Sequence, residues 1–271
     1  MNDALIIATA VLLLSLVAIL IHKNRRQQIR QRQRDGVELL IQLRTLLQHT
    51  QKHRGASYGA LNGDQQLKQS LAGVAAAINQ AIAQVDCLPQ LACQDHWLAY
   101  RDHWQRLHSN NLKLEAENNL QQHNRLISVL LYLIEDVAEQ ANLDELASQE
   151  TDIHSLTSIW RDLPRTAELV GQARVLGSGI LAEGKAGTVD KIRMRFVRGK
   201  LQEYIDAEQN SEQALQHLVS VIDQQILADG AAQQNGAPVL NANDYFELSS
   251  RAMEPFFASM DAGIGRLKQM T

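Results

Sequence analysis

The feature that most constrains this chain is an unbroken apolar run, Ala4 to Ile21, that contains no charged residue. In a helix these residues would extend roughly 27 Å, near the roughly 30 Å hydrocarbon core of a bilayer. A signal peptide carries positive charge before its apolar run and small residues after it, whereas here a basic segment follows the run. We therefore predict a transmembrane helix over residues 4–22, in preference to a signal peptide or a buried core helix.

The charges around this run predict its orientation. No Lys or Arg precedes it, and six follow it closely: Lys23, Arg25, Arg26, Arg30, Arg32 and Arg34. The positive-inside rule then places the N-terminus outside and the remainder in the cytoplasm, as a single-pass protein of a bacterial inner membrane. We interpret residues 23–36 as a basic juxtamembrane linker against anionic headgroups. Because the membrane accounts for these charges, we expect no nucleic-acid partner.

The composition of residues 37–271 favours helices throughout. The chain has only four prolines and 4% aromatic residues, whereas strands prefer aromatic and β-branched side chains. The two cysteines, Cys87 and Cys93, do not indicate a disulfide framework. The expected fold is all-α: an N-terminal transmembrane helix followed by stacked antiparallel helical bundles.

Apolar spacings of three and four residues divide this region into helices. Asn62-Gly63 supplies a stop for the first of them, and Asn241 is a suitable N-cap for the last. Four helices followed by three longer ones suggest two bundles that share at least one helix. The predicted helices cover residues 37–61, 67–85, 93–117, 120–141, 153–182, 188–227 and 242–269.

Two patterns suggest chemistry, but each has a simpler explanation. Gly55-Ala56-Ser57-Tyr58-Gly59 fits the G-x-S-x-G pattern of hydrolases, which requires a strand-to-helix turn. His96 and His103 lie near the cysteines without the spacing of a zinc site. No glycine-rich phosphate loop is present either. We therefore expect no enzyme, no metal site and no cofactor.

The segment Leu46 to Ser57 resembles the start of the nitrate- and nitrite-sensing (NIT) domain family. Gln48, Arg54, Gly55 and Ser57 are similar to that family's Leu-Gln…Arg-Gly-x-Ser pattern. Many members have Glu before the Arg-Gly pair, where this chain has His53. A His-Arg-Gly form also occurs, so the departure is mild.

Two later segments extend the resemblance to roughly residues 37–270. Gly171 to Gly177, with Arg174, is similar to a family helix in which small residues follow an arginine. Tyr245-Phe246 and Ser250-Arg251 resemble the final helix. The resemblance implies two stacked bundles that bind nitrate or nitrite through arginines of different helices. Carried over by motif, Arg54 and Arg174 are the expected ligand-binding residues, with Ser57 as a further candidate.

The chemistry of nitrate agrees with this implication. A guanidinium fork can meet a planar monoanion with two parallel hydrogen bonds, and an anion relieves the repulsion between two neighbouring arginines. The alternative for each arginine is a structural salt bridge. Family members usually carry an output module, and none fits after Thr271.

Two functions follow from these alternatives. The first is a membrane-anchored sensor that signals through a separate effector protein or its own dimer. The second is a helical scaffold that recruits partners to the membrane and binds no anion.

Overall fold

The computed structural model describes residues 2–88, 95–184, 186–208, 213–228 and 240–271, without the side chains of residues 2–6 and 8–11. Within these ranges the chain is helical and contains no strand, which confirms the all-α prediction. Asn111–Lys113 forms a 3₁₀ turn, and Ile222–Ile226 is a π-helical continuation of α9. The α-helices are α1 (Asn2–Leu61), α2 (Gln65–Asp86), α3 (Asp95–Asn110), α4 (Ala116–Gln140), α5 (Leu143–Ala147), α6 (Ile153–Thr157), α7 (Asp162–Glu183), α8 (Thr188–Ala207), α9 (Gln213–Val221) and α10 (Ala242–Met270).

Helix α1 is continuous from the apolar run to the first predicted motif. Residues 23–36, interpreted above as a linker, are helical and join the run to the buried segment that begins near Val37. α1 ends at Leu61, where Gly63 adopts a positive φ of 98° that a residue without a side chain tolerates. The Asp64 side chain then accepts a hydrogen bond from the Leu67 amide and caps α2. This tight turn reverses the chain and sets α2 against α1.

The predicted membrane span is not supported by the structure. The prediction falls partly on residues 2–6 and 8–11, whose side chains lie outside the described ones. In the part of the chain that the structure describes, no helix combines the length and apolar character needed to cross a bilayer. The single-pass inner-membrane location and its orientation are therefore wrong.

Without a membrane span within the described residues, the basic segment of residues 23–36 is no longer explained by lipid headgroups. The expectation that the chain binds no nucleic acid rested on assigning the cations after Lys23 to lipid headgroups. That assignment no longer holds, so the absence of a nucleic-acid partner stays an untested prediction.

The first bundle is formed by α2, α3 and α4 around the second half of α1. Trp97, Tyr100 and Trp104 of α3 are buried, and the indole N–H groups of Trp97 and Trp104 donate to Asp86 and Asn79. These bonds satisfy the polar edge of each ring while its apolar body joins the core. The core of this bundle includes Leu40, Leu43, Leu47, Ile78, Tyr100, Ile127 and Leu130.

The second bundle is formed by α7, α8, α9 and α10, and α1 packs against both α7 and α10. The helix predicted over residues 153–182 is divided into α6 and α7, and Pro164 stands in the first turn of α7. A proline is tolerated there because its missing N–H would have no partner within the helix. The shared helix α1 therefore brings residues of both bundles to one place.

Candidate functional site

Arg54 lies on α1 at the junction of the two bundles and is fully buried. Its Nη1 donates to Glu168 Oε1 at 2.5 Å and to Asn124 Oδ1 at 2.8 Å. Glu168 belongs to α7 and Asn124 to α4, so this one guanidinium joins three helices. A charged hydrogen bond of this kind stabilises more than a neutral one because the low local dielectric strengthens it.

Glu168 is held by more than the arginine. Its side chain is buried, and Oε1 also accepts from Gln172 Nε2 at 2.9 Å. Oε2 accepts from Gln51 Nε2 at 2.9 Å. Gln51 lies three residues before Arg54, a spacing that puts both side chains on one face of α1. Both carboxylate oxygens are therefore occupied.

Arg174 approaches the same region from α7. Its Nη1 donates to Ser250 Oγ at 3.0 Å, and its guanidinium lies 4.7 Å from the centre of the Phe246 ring. Burial, with a further contribution from the charge of Arg54, lowers the pKa of Arg174 to about 10, which leaves it protonated at neutral pH. Glu168 opposes this shift. The two arginines are close enough for their charges to interact.

Glycines of α1 and α7 allow the side chains of Arg54 and Arg174 to approach each other. A Cβ on Gly171 would stand 2.6 Å from Arg54 Nη2, and a Cβ on Gly55 would stand 3.9 Å from Arg174 Nη2. Each arginine thus lies beside a glycine of the other arginine's helix. The small residues of the two motifs allow α1 and α7 to bring these side chains together.

Several polar atoms of this cluster have no hydrogen-bond partner. They are Arg54 Nε, Arg54 Nη2, Arg174 Nε and Gln51 Oε1. A buried donor without a partner costs about 1–3 kcal/mol, and more when it is charged. Two guanidinium groups and one carboxylate leave the cluster one positive charge in excess. The arrangement can accept one singly charged anion with several hydrogen-bond acceptors.

Ser57 is placed differently from the two arginines. It is buried, and its hydroxyl lies 3.3 Å from His53 Nδ1. His53 Nδ1 in turn lies 2.8 Å from His123 Nε2, and His123 Nδ1 lies 2.9 Å from the Asn119 carbonyl. Since a carbonyl can only accept, His123 Nδ1 carries its proton and His53 donates to His123. Ser57 therefore belongs to a histidine pair beside the cluster, and its part in ligand binding stays a prediction.

A groove of about 490 Å³ lies between α4, α7 and α8, beside the cluster. Asn124 and Gln172 line it, and these are the residues that contact Arg54 and Glu168. Its other walls are largely apolar and include Leu120, Val175, Leu176, Ile192, Phe196 and Val197. Arg193 donates to Glu117 at 2.7 Å on the rim. The groove therefore reaches the side chains bonded to Arg54 and Glu168, while Arg54, Arg174 and Glu168 do not line it.

Sequence reasoning missed the carboxylate of the cluster. Arg54 forms an ion pair with Glu168, so the structural salt bridge named as the alternative for this arginine is present. The available signal was the three-residue step from Glu168 to Gly171 and again from Gly171 to Arg174, because residues three apart are neighbours on a helix surface. The contributions of Asn124 and Ser250 come from other helices and have no local signal.

The other candidate chemistries have no support in the geometry. Residues 55–59 lie within α1, so the G-x-S-x-G pattern is not at a strand-to-helix turn. His96 is paired with Asp136 and His103 with Gln122. Cys87 is an exposed free thiol, and Cys93 lies outside the described residues. Among the residues that are described, no group of three or more potential ligands could hold a metal ion.

Comparison with known proteins agrees with the three motif helices. No curated protein matches the sequence significantly. The solved structure of the NasR transcription antiterminator is similar to this chain with a TM-score of 0.64 over 93% of this chain and 73% of that one. At 18% identity that likeness shows a shared fold. The model of the nitrate and nitrite sensing family matches residues 45–271, which include Arg54, Arg174 and Ser250. The chain belongs to the nitrate and nitrite sensing (NIT) family.

Proposed function

We propose that this protein is a sensor, and not an enzyme, that binds nitrate or nitrite between the guanidinium groups of Arg54 and Arg174. The observation that carries the proposal is the set of buried N–H groups without partners, Arg54 Nε and Nη2 and Arg174 Nε. They lie in a cluster with one excess positive charge. A single oxyanion satisfies both the donors and the charge.

The energetics favour an anion at this place. Charge-assisted hydrogen bonds contribute about 1.5–3 kcal/mol each, so even one bond from each arginine gives a substantial affinity. Nitrate is planar and weakly hydrated, so a guanidinium edge can bind it bidentately at modest desolvation cost. The groove lined by Asn124 and Gln172 lies beside the cluster.

The ligand would act on three helices together. Arg54 is on α1, Arg174 is on α7, and Ser250 and Phe246 connect Arg174 to α10. An anion that binds both arginines favours the arrangement in which these helices are closest, and it shifts the population toward that arrangement.

The signal has a path out of the bundle along α1 and α10. Arg34 Nε donates to the Thr271 backbone oxygen at 2.7 Å, so the two helices meet again at that end. Each of these residues is about 30 Å along its helix from the cluster. We infer that a separate effector protein, or a second copy of the chain, detects the change in α1 and α10 at this end.

The test is a calorimetric titration of the full chain with nitrate and with nitrite, in a chloride buffer of constant ionic strength. We expect saturable binding of one anion per chain. The melting temperature should rise with nitrate concentration because a ligand bound only to the folded state stabilises it. If millimolar nitrate and nitrite neither bind nor change the melting temperature, the arginine cluster is structural and a helical scaffold that binds no anion is favoured.

The output requires a second measurement. Sedimentation velocity of the full chain with and without nitrate should show a change in mass or shape if a second copy is the partner. An unchanged sedimentation coefficient under saturating nitrate would favour a separate effector.

A further inference from the structure

We propose that Glu168 sets the charge selectivity of this site, by limiting it to singly charged oxyanions. The inference rests on the proposed nitrate or nitrite binding and adds a residue to which neither the motifs nor the family match assigns a role. Glu168 is buried at 4% exposure and bonds directly to Arg54, one of the two proposed ligand-binding arginines. It is therefore part of the electrostatics that any bound anion meets.

The ionic charges of the cluster sum to one positive charge. Arg54 and Arg174 contribute two positive charges, and Glu168 contributes one negative charge. The other polar side chains in contact with the cluster are neutral, namely Gln51, Asn124, Gln172 and Ser250. One monoanion brings the buried cluster to neutrality. A dianion such as sulfate leaves one negative charge uncompensated in a region where unpaired charge is strongly unfavourable.

Glu168 cannot readily turn away to make room for a dianion. Oε1 accepts from Arg54 and Gln172, and Oε2 accepts from Gln51. Displacing it would break three hydrogen bonds and leave a buried carboxylate without partners. Glu168 therefore acts as a fixed internal counterion.

The test is Glu168→Gln, which removes the charge and keeps the shape. The new amide can donate to Gln51 Oε1, which has no partner in the wild type, after the Gln51 amide turns over. The matched control is Glu135→Gln, because Glu135 accepts from Arg165 Nε at 2.7 Å in an Arg–Glu pair outside the cluster. Circular dichroism checks that both variants of the full chain are folded.

Three anions distinguish the effect of ligand charge on affinity from the effect of ligand shape. Nitrate is a planar monoanion, perchlorate is a tetrahedral monoanion, and sulfate is a tetrahedral dianion. We expect the ratio of sulfate affinity to perchlorate affinity, measured by calorimetry, to increase at least about tenfold in Glu168→Gln, because removing a fixed charge at close range favours the more highly charged ion. The Glu135→Gln control should keep the wild-type ratio.

A second variant changes the charge in the opposite direction. Asn124→Asp keeps an acceptor oxygen for Arg54 Nη1 and adds a negative charge, so the cluster becomes neutral without ligand. Nitrate should then bind at least about tenfold more weakly than to the wild type. This variant also tests the proposal if Glu168→Gln does not fold.

The outcomes distinguish the two proposals. If wild-type protein and Glu168→Gln both bind nitrate and the sulfate-to-perchlorate ratio is unchanged, Glu168 does not set the selectivity and the sensor function stands. Unweakened nitrate binding by a folded Asn124→Asp variant has the same meaning. If the wild type binds no nitrate or nitrite, the sensor function fails and this inference fails with it.

Discussion

Arg54 and Gly171 are in such close contact that the Nη2 atom of the arginine lies 2.6 Å from the place where a Cβ on Gly171 would stand. No side chain larger than hydrogen fits there without moving the guanidinium. Gly171 also lies one helical turn before Arg174. The glycine thus sets how closely Arg54 can approach the helix that carries the second arginine.

Gly171→Ala should therefore weaken nitrate binding at least about tenfold, the equivalent of one charge-assisted hydrogen bond. The new methyl group displaces Arg54 Nη2, and Met253 Cε lies only 3.2 Å from the same position. Alanine is the better helix former by about 0.5–1 kcal/mol, which offsets part of the crowding. The fold should survive, and calorimetry with nitrate measures the loss.

Gly73→Ala is the matched control for this variant. Gly73 also lies in a helix, and nothing stands within 4 Å of its Cβ position. It should stabilise the protein slightly and leave the nitrate affinity unchanged. Equal nitrate affinities of the two alanine variants would show that the Arg54–Gly171 contact does not shape the site.

Arg54→Ala should destabilise the protein as well as remove binding. This variant leaves the buried Glu168 carboxylate without its ionic partner. Breaking a buried ion pair from one side costs about 3–5 kcal/mol. Urea denaturation measures the loss, and the double variant Arg54→Ala with Glu168→Gln should recover part of it. A double variant no more stable than Arg54→Ala would contradict this explanation.

Arg174→Ala should weaken nitrate binding without lowering the stability of the protein. In the described ranges no carboxylate lies within ion-pair distance of Arg174, whose polar contact is with the Ser250 hydroxyl. Its removal leaves no buried charge unpaired and relieves repulsion from Arg54. We expect a fold as stable as the wild type within about 1 kcal/mol, and nitrate binding at least about tenfold weaker.

Arg174→Lys tests whether charge alone is sufficient. An ammonium keeps the charge but lacks the planar fork and the flat face that lies over Phe246. It should restore little of the affinity lost in Arg174→Ala. Full restoration by lysine would mean that this residue acts only through its charge.

The sequence predicted the parts of this protein that depend on local patterns. Helix-forming composition, the turn at Gly63 and the Asn241 cap are local features, and the all-α fold follows from them. The family resemblance came from the three motif segments that contain Arg54, Arg174 and Ser250. Arg54 and Arg174 were found because each lies in a short motif with small residues beside it. The structure brings them together, which a spacing of 120 residues cannot reveal.

The remaining features depend on the surroundings of each residue in the folded protein. The apolar run alone predicts a membrane span, whereas no helix within the described residues combines the length and apolar character that a bilayer requires. Glu168 was missed because a charge on a buried face is recognisable only when its partner on another helix is known. Asn124 and Ser250 were missed for the same reason.

His53 and His123 form a buried histidine pair beside Arg54. Burial lowers the pKa of His53 to about 4, with a smaller contribution from His108. Burial also lowers the pKa of His123 to about 3, and the charges of His53 and Arg54 add to the effect. An unfolded histidine titrates near pH 6.5. Between about pH 6.5 and 4 the unfolded chain therefore binds protons that the folded chain does not, and the free energy of unfolding must fall as the pH falls. The slope is up to about 1.4 kcal/mol per pH unit for each histidine.

His123→Gln should unfold more easily at pH 7, because it disturbs the bond from His53, but should show a shallower slope by about one histidine's share. His217→Gln, at an exposed position, is the control and should keep the wild-type slope. Urea denaturation of the three proteins from pH 4.5 to 7 gives both quantities, and a His123→Gln slope equal to that of the wild type would mean that His123 is not held neutral in the folded protein.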